Sequence, residues 1–367
     1  MRIETGVFMR RFVWFMFLTF DAVLIILFIA GYAARYVHPR HLWWLQLVAV
    51  VLPFLSMALI VPVVVAALLG KWKLLGVHAL LGVLVLIRFV PFDRIRPRTA
   101  AVSEPLTVMT YNGKFKDSIA ASRTGSARDL LDGPNRPDLV ALQETYVKFV
   151  GDQIQLYYPP DTTWFVDDFG YTTRRPEELL GDRLYQPILG RQNIEELTLL
   201  WLYNETSRES AVSMTRVRFR WQGREGALYN VHLHSFNLKP WRGNKKGWHP
   251  QFWLEMLRAY RRDFRIRAYH AEQLSLLLAQ ETLPFIVCGD FNSTPHHWVY
   301  RYLKGGLHDA FGEAGRGWGA TYHTRLPLVR IDFLFVSSAF QVHTARVAAA
   351  AFSDHLPLVV TLGWRGE

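Results

Sequence analysis

Gly289-Asp290-Phe291-Asn292 directly follows an apolar run at 284–288. Asp290 and Asn292 are two residues apart, so on an extended chain both side chains face one way. A carboxylate and a carboxamide leaving a strand together can hold a metal ion, a water and a phosphate oxygen. An ordinary Asx turn is the structural alternative. Glu144 follows the apolar run 138–142 and Gln143. It is a hard oxygen donor of the kind Mg2+ prefers, or a cap for a following helix. Asn112 ends the run 106–112 and can ligate a metal, hydrogen-bond to phosphate or begin a turn. His232 closes an alternating stretch, where it can donate to a phosphate oxygen as charge builds, or be a satisfied, half-buried histidine. His234 shares its face and reads as structural or supporting. Asp332 stands in Arg-Ile-Asp-Phe-Leu-Phe-Val, and a lone acid in an apolar strand is costly unless paired. His355, in Ser-Asp-His-Leu-Pro-Leu, is a natural partner. Held by Asp332, its tautomer is fixed and its protonated form favoured. That is the arrangement of a general acid/base pair, or of a buried hydrogen bond with no catalytic role. Asp354 serves the site or caps the turn.

These residues need elements to position them. Runs rich in Val, Leu, Ile and aromatics, bounded by turn residues, predict strands at 106–112, 138–143, 226–233, 284–288, 330–336 and 357–362. A helix is expected over 252–280. Strands interspersed with helices suggest a layered α/β domain, with polar residues at the strand ends, where open sheets place their sites.

The first hundred residues have another character. Segments 12–34, 43–70 and 74–92 are apolar, with Asp21 the one charge in the first, none in the second and Arg88 in the third. About 20 apolar residues cross a bilayer, so three transmembrane helices fit. Trp43, Trp44 and Trp72 stand at their edges as an interfacial belt would place them. Asp21 is either functional or paired inside the helical bundle. Five Lys/Arg would lie on each side, so the loops give no charge bias. Arg10-Arg11 beside the first span places the N-terminus inside and, after three spans, the catalytic domain outside the cytoplasm. The organisation expected is therefore a transmembrane region over 1–92, a Pro-punctuated linker over 93–105 and a catalytic domain over 106–367.

Composition narrows the function. The net charge is +11, but residues 1–99 carry 11 Lys/Arg and 3 Asp/Glu, leaving the rest at only +3. That argues against extended nucleic-acid binding. One basic concentration, 216–267, holds 13 Lys/Arg against 3 acids. Cys288 is the single cysteine, which excludes an intrachain disulfide and a multi-cysteine zinc site and implies no disulfide-linked partner.

Taken in order, Asn, Gln-Glu, His-Leu, Gly-Asp-Phe-Asn, Arg-Ile-Asp-Phe and Ser-Asp-His, each at a strand edge, resemble the endonuclease/exonuclease/phosphatase superfamily with its deoxyribonuclease I-like fold. The stretch 305–336 looks like membrane-attached bacterial members. The resemblance covers roughly 106–362. It implies a four-layered α/β sandwich with two central mixed sheets, a divalent cation (Mg2+, with Mn2+ as a substitute) and hydrolysis of a phosphate ester. It implies metal ligation by Glu144, Asn112 and Asp354, and catalytic roles for His232, Asp290, Asn292, Asp332 and His355. Either His355 or Asp290 would take the proton of the attacking water.

Three functions follow. The first is a membrane-anchored phosphoesterase acting on a lipid headgroup or a small phosphoester. The second is a metal-dependent nuclease on nucleic acid, served by the basic stretch. The third is a catalytically silent membrane scaffold. Within the basic stretch, Lys239, Arg242, Lys245 and Lys246 stand among tryptophans in a segment unsuited to helix. They are candidate substrate-binding residues, facing anionic lipid or further substrate phosphates, or a solvated basic surface.

Overall fold

The computed structural model describes residues 2–90, 104–113, 131, 136–158, 162–191, 194–203, 211–236, 250–322, 328–349 and 353–366. Most of the expected linker, and Lys239, Arg242, Lys245 and Lys246, lie outside the described residues. The chain divides into two compact units. One is Met1–Phe92 with His296–Arg301, and the other Asp93–Pro295 with Tyr302–Glu367.

The first unit is helical: α1 (Arg2–Ala33), α2 (Pro39–Leu42), α3 (Trp44–Val50), α4 (Leu52–Ala58), α5 (Ile60–Leu68) and α6 (Trp72–Phe89). Phe8–Tyr36 and Trp72–Phe89 are each long and apolar enough to cross a membrane. Over the span expected at 43–70 lies a bent pair, Trp44–Val50 and Leu52–Leu68, at 61°, which is a broken span or a re-entrant loop. The break falls at Val51, two residues before Pro53. A proline ring has no amide hydrogen and crowds the preceding turn, so the helix cannot run through. Asp21 has a partner: its Oδ1 lies 3.0 Å from His78 Nε2, and His78 Nδ1 lies 3.0 Å from the Leu74 carbonyl oxygen. Both side chains are buried, which is how an acid inside an apolar bundle is tolerated.

The second unit is built from β1 (Leu106–Asn112), β2 (Leu139–Gln143), β3 (Tyr146–Val150), β4 (Gln153–Tyr158), β5 (Thr162–Phe165), β6 (Arg183–Tyr185), β7 (Ile188–Gly190), β8 (Ile194–Leu202), β9 (Val212–Trp221), β10 (Arg224–His232), β11 (Phe285–Asp290), β12 (His308–Asp309), β13 (Asp332–Val336), β14 (Phe340–Val347) and β15 (Leu358–Trp364). The helices are α7 (Pro250–Ala279), α8 (Trp298–Lys304, shared with the first unit) and α9 (Ala310–Ala314). One sheet has the order β14-β15-β1-β2-β7, a second β12-β13-β11-β10-β9-β8, and a small third β5-β4-β3-β6. Both large sheets are mixed, since β1 runs parallel to β2 and β10 parallel to β11 while their other pairings are antiparallel. This is the layered α/β arrangement expected. β1 and β2 pack against β10, β11 and β13, so these strands are almost wholly buried. Such strands read as continuous apolar runs rather than as alternation.

Polar stitching joins the two sheets. Gln143 Nε2 donates to Thr110 Oγ1 at 3.1 Å and to Asn230 Oδ1 at 2.6 Å. Asn230 Nδ2 in turn donates to the carbonyl of Leu142 at 2.8 Å. Asn230, whose amide oxygen accepts and whose nitrogen donates, ties the two sheets in register.

The arginines of β9 are used internally. Arg216 pairs with Glu281 at 2.7 Å. Arg220 pairs with Glu195 at 2.8 Å and Glu225 at 2.7 Å. Burial pushes Glu281 up, but hydrogen bonds from Arg216 and Tyr229 more than offset it and hold the carboxyl down at about 2. A depressed carboxyl contributes stability above its ordinary pKa of 4.5 and loses it as pH falls toward about 2. Glu281→Gln is therefore expected to cost about 1–3 kcal/mol at pH 7, with the gap to wild type closing on acidification. Denaturant melts at pH 7 and pH 3 check this, and a pH-independent gap would remove the ionised pair as the cause.

Candidate active site

Register assembles the site. In the six-stranded sheet His232 pairs with Asp290 across β10 and β11, and Asp290 with Asp332 across β11 and β13. In the other sheet Asn112 ends β1 opposite Gln143 of β2, and Glu144 is the next residue. β1, β2, β10 and β11 end, and the antiparallel β13 begins, at the same side of the sandwich.

Asn112 is the bridge. Its buried Nδ2 donates to Glu144 Oε1 at 3.2 Å and to Asp290 Oδ2 at 3.0 Å. His232 Nε2 is buried and without a hydrogen bond, 3.8 Å from Glu144 Oε1 and 3.7 Å from Asp290 Oδ2. His355 Nε2 approaches the same Asp290 oxygen, also at 3.7 Å. The opposite edge of the His355 ring is fixed, with Nδ1 lying 3.0 Å from Asp332 Oδ2. The lone acid of the apolar strand thus has the partner its burial demands. Burial pulls the His355 imidazolium down, but Asp332 and Asp290 outweigh it and raise the group to about 9. Asp354 is buried and adds its charge to the same ring.

The backbone around these groups is specialised. Glu144 has φ +54° and Asn292 φ +47°, both left-handed, which turns each side chain sharply off its strand. Asp290 Oδ1 accepts from the Asn292 amide at 2.8 Å, and Asn292 Nδ2 donates to the Leu233 carbonyl at 2.9 Å. Gly289 has φ +141°, and a Cβ there would lie 1.8 Å from the Val231 carbonyl oxygen. Only glycine lets β11 run this close to β10. Gly289→Ala is expected to destabilise the fold by at least about 3 kcal/mol, measured by denaturant unfolding. A loss under about 1 kcal/mol would mean that the strands separate freely.

Every candidate among the described residues lies in this cluster or beside it. Two supports were not singled out from sequence. Ser353 Oγ donates to the Asn112 carbonyl at 2.7 Å and accepts from the His355 amide at 3.1 Å. The Tyr322 ring lies 4.9 Å from the His355 ring. The Ser-Asp-His tripeptide carried the first signal, whereas nothing local marked Tyr322. His234 Nε2 lies 3.1 Å from Asp263 Oδ1.

The donor chemistry fits a divalent cation. Ligand atoms of Asp290, Asp332 and His355 lie within 4.8 Å of one another. Glu144 and Asp290 both accept from the Asn112 carboxamide, which adds a third carboxylate to the cluster. Clustered carboxylates with neutral oxygen donors suit a hard ion such as Mg2+.

Residues 109–355 match the model of the endonuclease/exonuclease/phosphatase family. The chain belongs to that family, whose members hydrolyse phosphate esters, generally with a divalent metal. Similar solved structures include the endonuclease/exonuclease/phosphatase from Bacteroides vulgatus (17% identity, 72% of this chain and 100% of that one, TM-score 0.49). Others are mannosyl-6-phosphatase from Bacteroides thetaiotaomicron (20%, 71% and 100%, 0.46) and sphingomyelinase C from Streptomyces griseocarneus (13%, 71% and 99%, 0.47). Comparison with curated proteins finds no match.

Proposed function

We propose that this chain is a membrane-anchored, divalent-metal-dependent phosphoesterase that hydrolyses a lipid headgroup or small phosphoester by in-line attack of water. The observation that carries the reading is the convergence of Asn112, His232 and His355 on Asp290, with Glu144 accepting from the same Asn112 carboxamide. Glu144 and the Asn112 amide oxygen would hold the cation, with Asp354 as a further ligand. When bound, it offsets the charge of the phosphate and steadies the leaving oxygen. His232 has an imidazole nitrogen free to donate to a phosphate oxygen. His355, kept cationic by Asp332 and Asp290, donates in the same way as charge builds. That leaves Asp290 to take the proton of the attacking water, its carboxylate oriented by Asn112 and the Asn292 amide.

The nuclease reading has less support. Arg216 and Arg220 are neutralised by glutamates within the protein, and Arg267 is fully buried against the rings of Phe236 and Phe264. Part of the basic stretch is therefore spent internally. The two hydrophobic helices favour a substrate held at a membrane. A panel of phospholipids, soluble phosphodiesters, phosphomonoesters and DNA, each with and without Mg2+, separates the readings. Metal-dependent turnover of lipid or small phosphoester, with DNA untouched, is expected. Cleavage of DNA alone makes the chain a nuclease, and turnover of nothing makes it a scaffold.

A further inference from the structure

The helical unit contains a second cluster whose chemistry the catalytic reading does not use. Arg35 lies in the short turn Ala34–Tyr36 that follows α1, and Arg88 in the last turn of α6. The unit also includes His296–Arg301. Arg88 Nε donates to His296 Nδ1 at 3.2 Å. Arg35 and Arg88 are near enough to repel each other, and Arg301 acts on Arg35 in the same way. Tyrosine rings lie beside all three guanidinium groups: Tyr32 is 5.2 Å from Arg88, and Tyr36 is 4.5 Å from Arg301 and 5.5 Å from Arg35. Among the described residues none of the three forms an ion pair with a carboxylate. Arg88 Nη1 and Nη2 and Arg35 Nε are buried without a hydrogen-bond acceptor.

The arrangement is built, not incidental. Gln46 pins it from both sides. Its Nε2 donates to the Ala34 carbonyl at 2.9 Å, beside Arg35. Its Oε1 accepts from the Trp298 amide at 3.1 Å, and its own carbonyl lies 3.0 Å from His297 Nε2. The His38 ring packs on Trp298 with centroids 4.4 Å apart. Three like charges held together cost energy unless an anion is shared among them. Arginine forks match the oxygens of a phosphate. The C-terminal ends of α1 and α6 are span ends, the level at which lipid headgroups and tyrosine or tryptophan rings meet.

We propose that Arg35, Arg88 and Arg301, with His296, bind the phosphate of an anionic lipid headgroup. The site rests on this geometry alone, whereas any role in presenting substrate rests on the catalytic reading.

The test uses the full chain in nanodiscs of mixed phosphatidylglycerol and phosphatidylcholine, with native mass spectrometry counting the lipids retained. Wild type is expected to prefer phosphatidylglycerol about tenfold. Arg35→Gln with Arg88→Gln should abolish the preference, and Arg88→Lys, which keeps charge but loses the fork, should weaken it. Arg11→Gln, an exposed charge on α1, should leave it intact. Glu144→Gln should retain lipid even when hydrolysis is lost, which separates this site from the catalytic one. No preference in wild type, or equal loss with Arg11→Gln, overturns the proposal. So does displacement of the lipid by inorganic phosphate, which would assign the cluster to a free anion. If the double variant does not fold, wild type and Arg88→Lys decide.

Discussion

Glu144→Gln is expected to reduce metal-dependent hydrolysis roughly ten-thousandfold, about 5 kcal/mol of transition-state stabilisation. The substitution keeps the side-chain shape, and its amide oxygen can still accept from Asn112, which now donates to Glu144 Oε1. Folding should therefore survive. What disappears is a negative charge, one quarter exposed at the rim of the cluster, where an incoming cation can reach it. Hard divalent ions bind carboxylates far better than carboxamides, so calorimetric titration with Mg2+ should lose most of its heat. Undiminished binding and turnover in the variant would take Glu144 out of the site.

His355→Ala should cost roughly a thousandfold in kcat, about 4 kcal/mol, and Asp332→Asn a large part of that. Asp332 acts through the imidazole it orients, so the double variant should lose little more than His355→Ala alone. Groups that work as a unit are not additive. Strictly additive losses would break the pair. The charge state adds a second reading. His355 donates only while protonated, and its raised value of about 9 keeps it so at neutral pH. Wild-type activity should then fall as pH rises through about 9, and a rise through that range would identify His355 as the base instead.

Much of this site was legible because its residues break local rules. An aspartate among Ile, Phe and Leu demands a partner, and Asp332 has one in His355. β1 occupies the residues its apolar pattern predicted, 106–112. Other features depend on contacts that no local pattern encodes. The acids that neutralise β9 come partly from β8 and from Glu281, 65 residues beyond Arg216, so a count of basic residues along the chain overstated its free charge. The bend at Val51 was marked only by Pro53, inside a stretch whose hydrophobicity alone suggested one span. The Gln143–Asn230 bond joins residues 87 apart; both were visible beside candidate residues, but neither showed that it faced the other. The small sheet β5-β4-β3-β6 is made of short strands that carry no candidate residue, and it went unforeseen.

The left-handed backbone at Glu144 sets heat resistance against activity at a single codon. A glutamate held at φ +54° carries a conformational cost that glycine does not, about 1 kcal/mol. Glu144→Gly should therefore melt a few degrees higher, offset partly by the hydrogen bond lost from Asn112, while hydrolysing nothing. A lower melting temperature would show that the bond outweighs the strain. If the gain appears, selection for thermal tolerance alone would discard the carboxylate, and the enzyme keeps it only while its reaction is under selection.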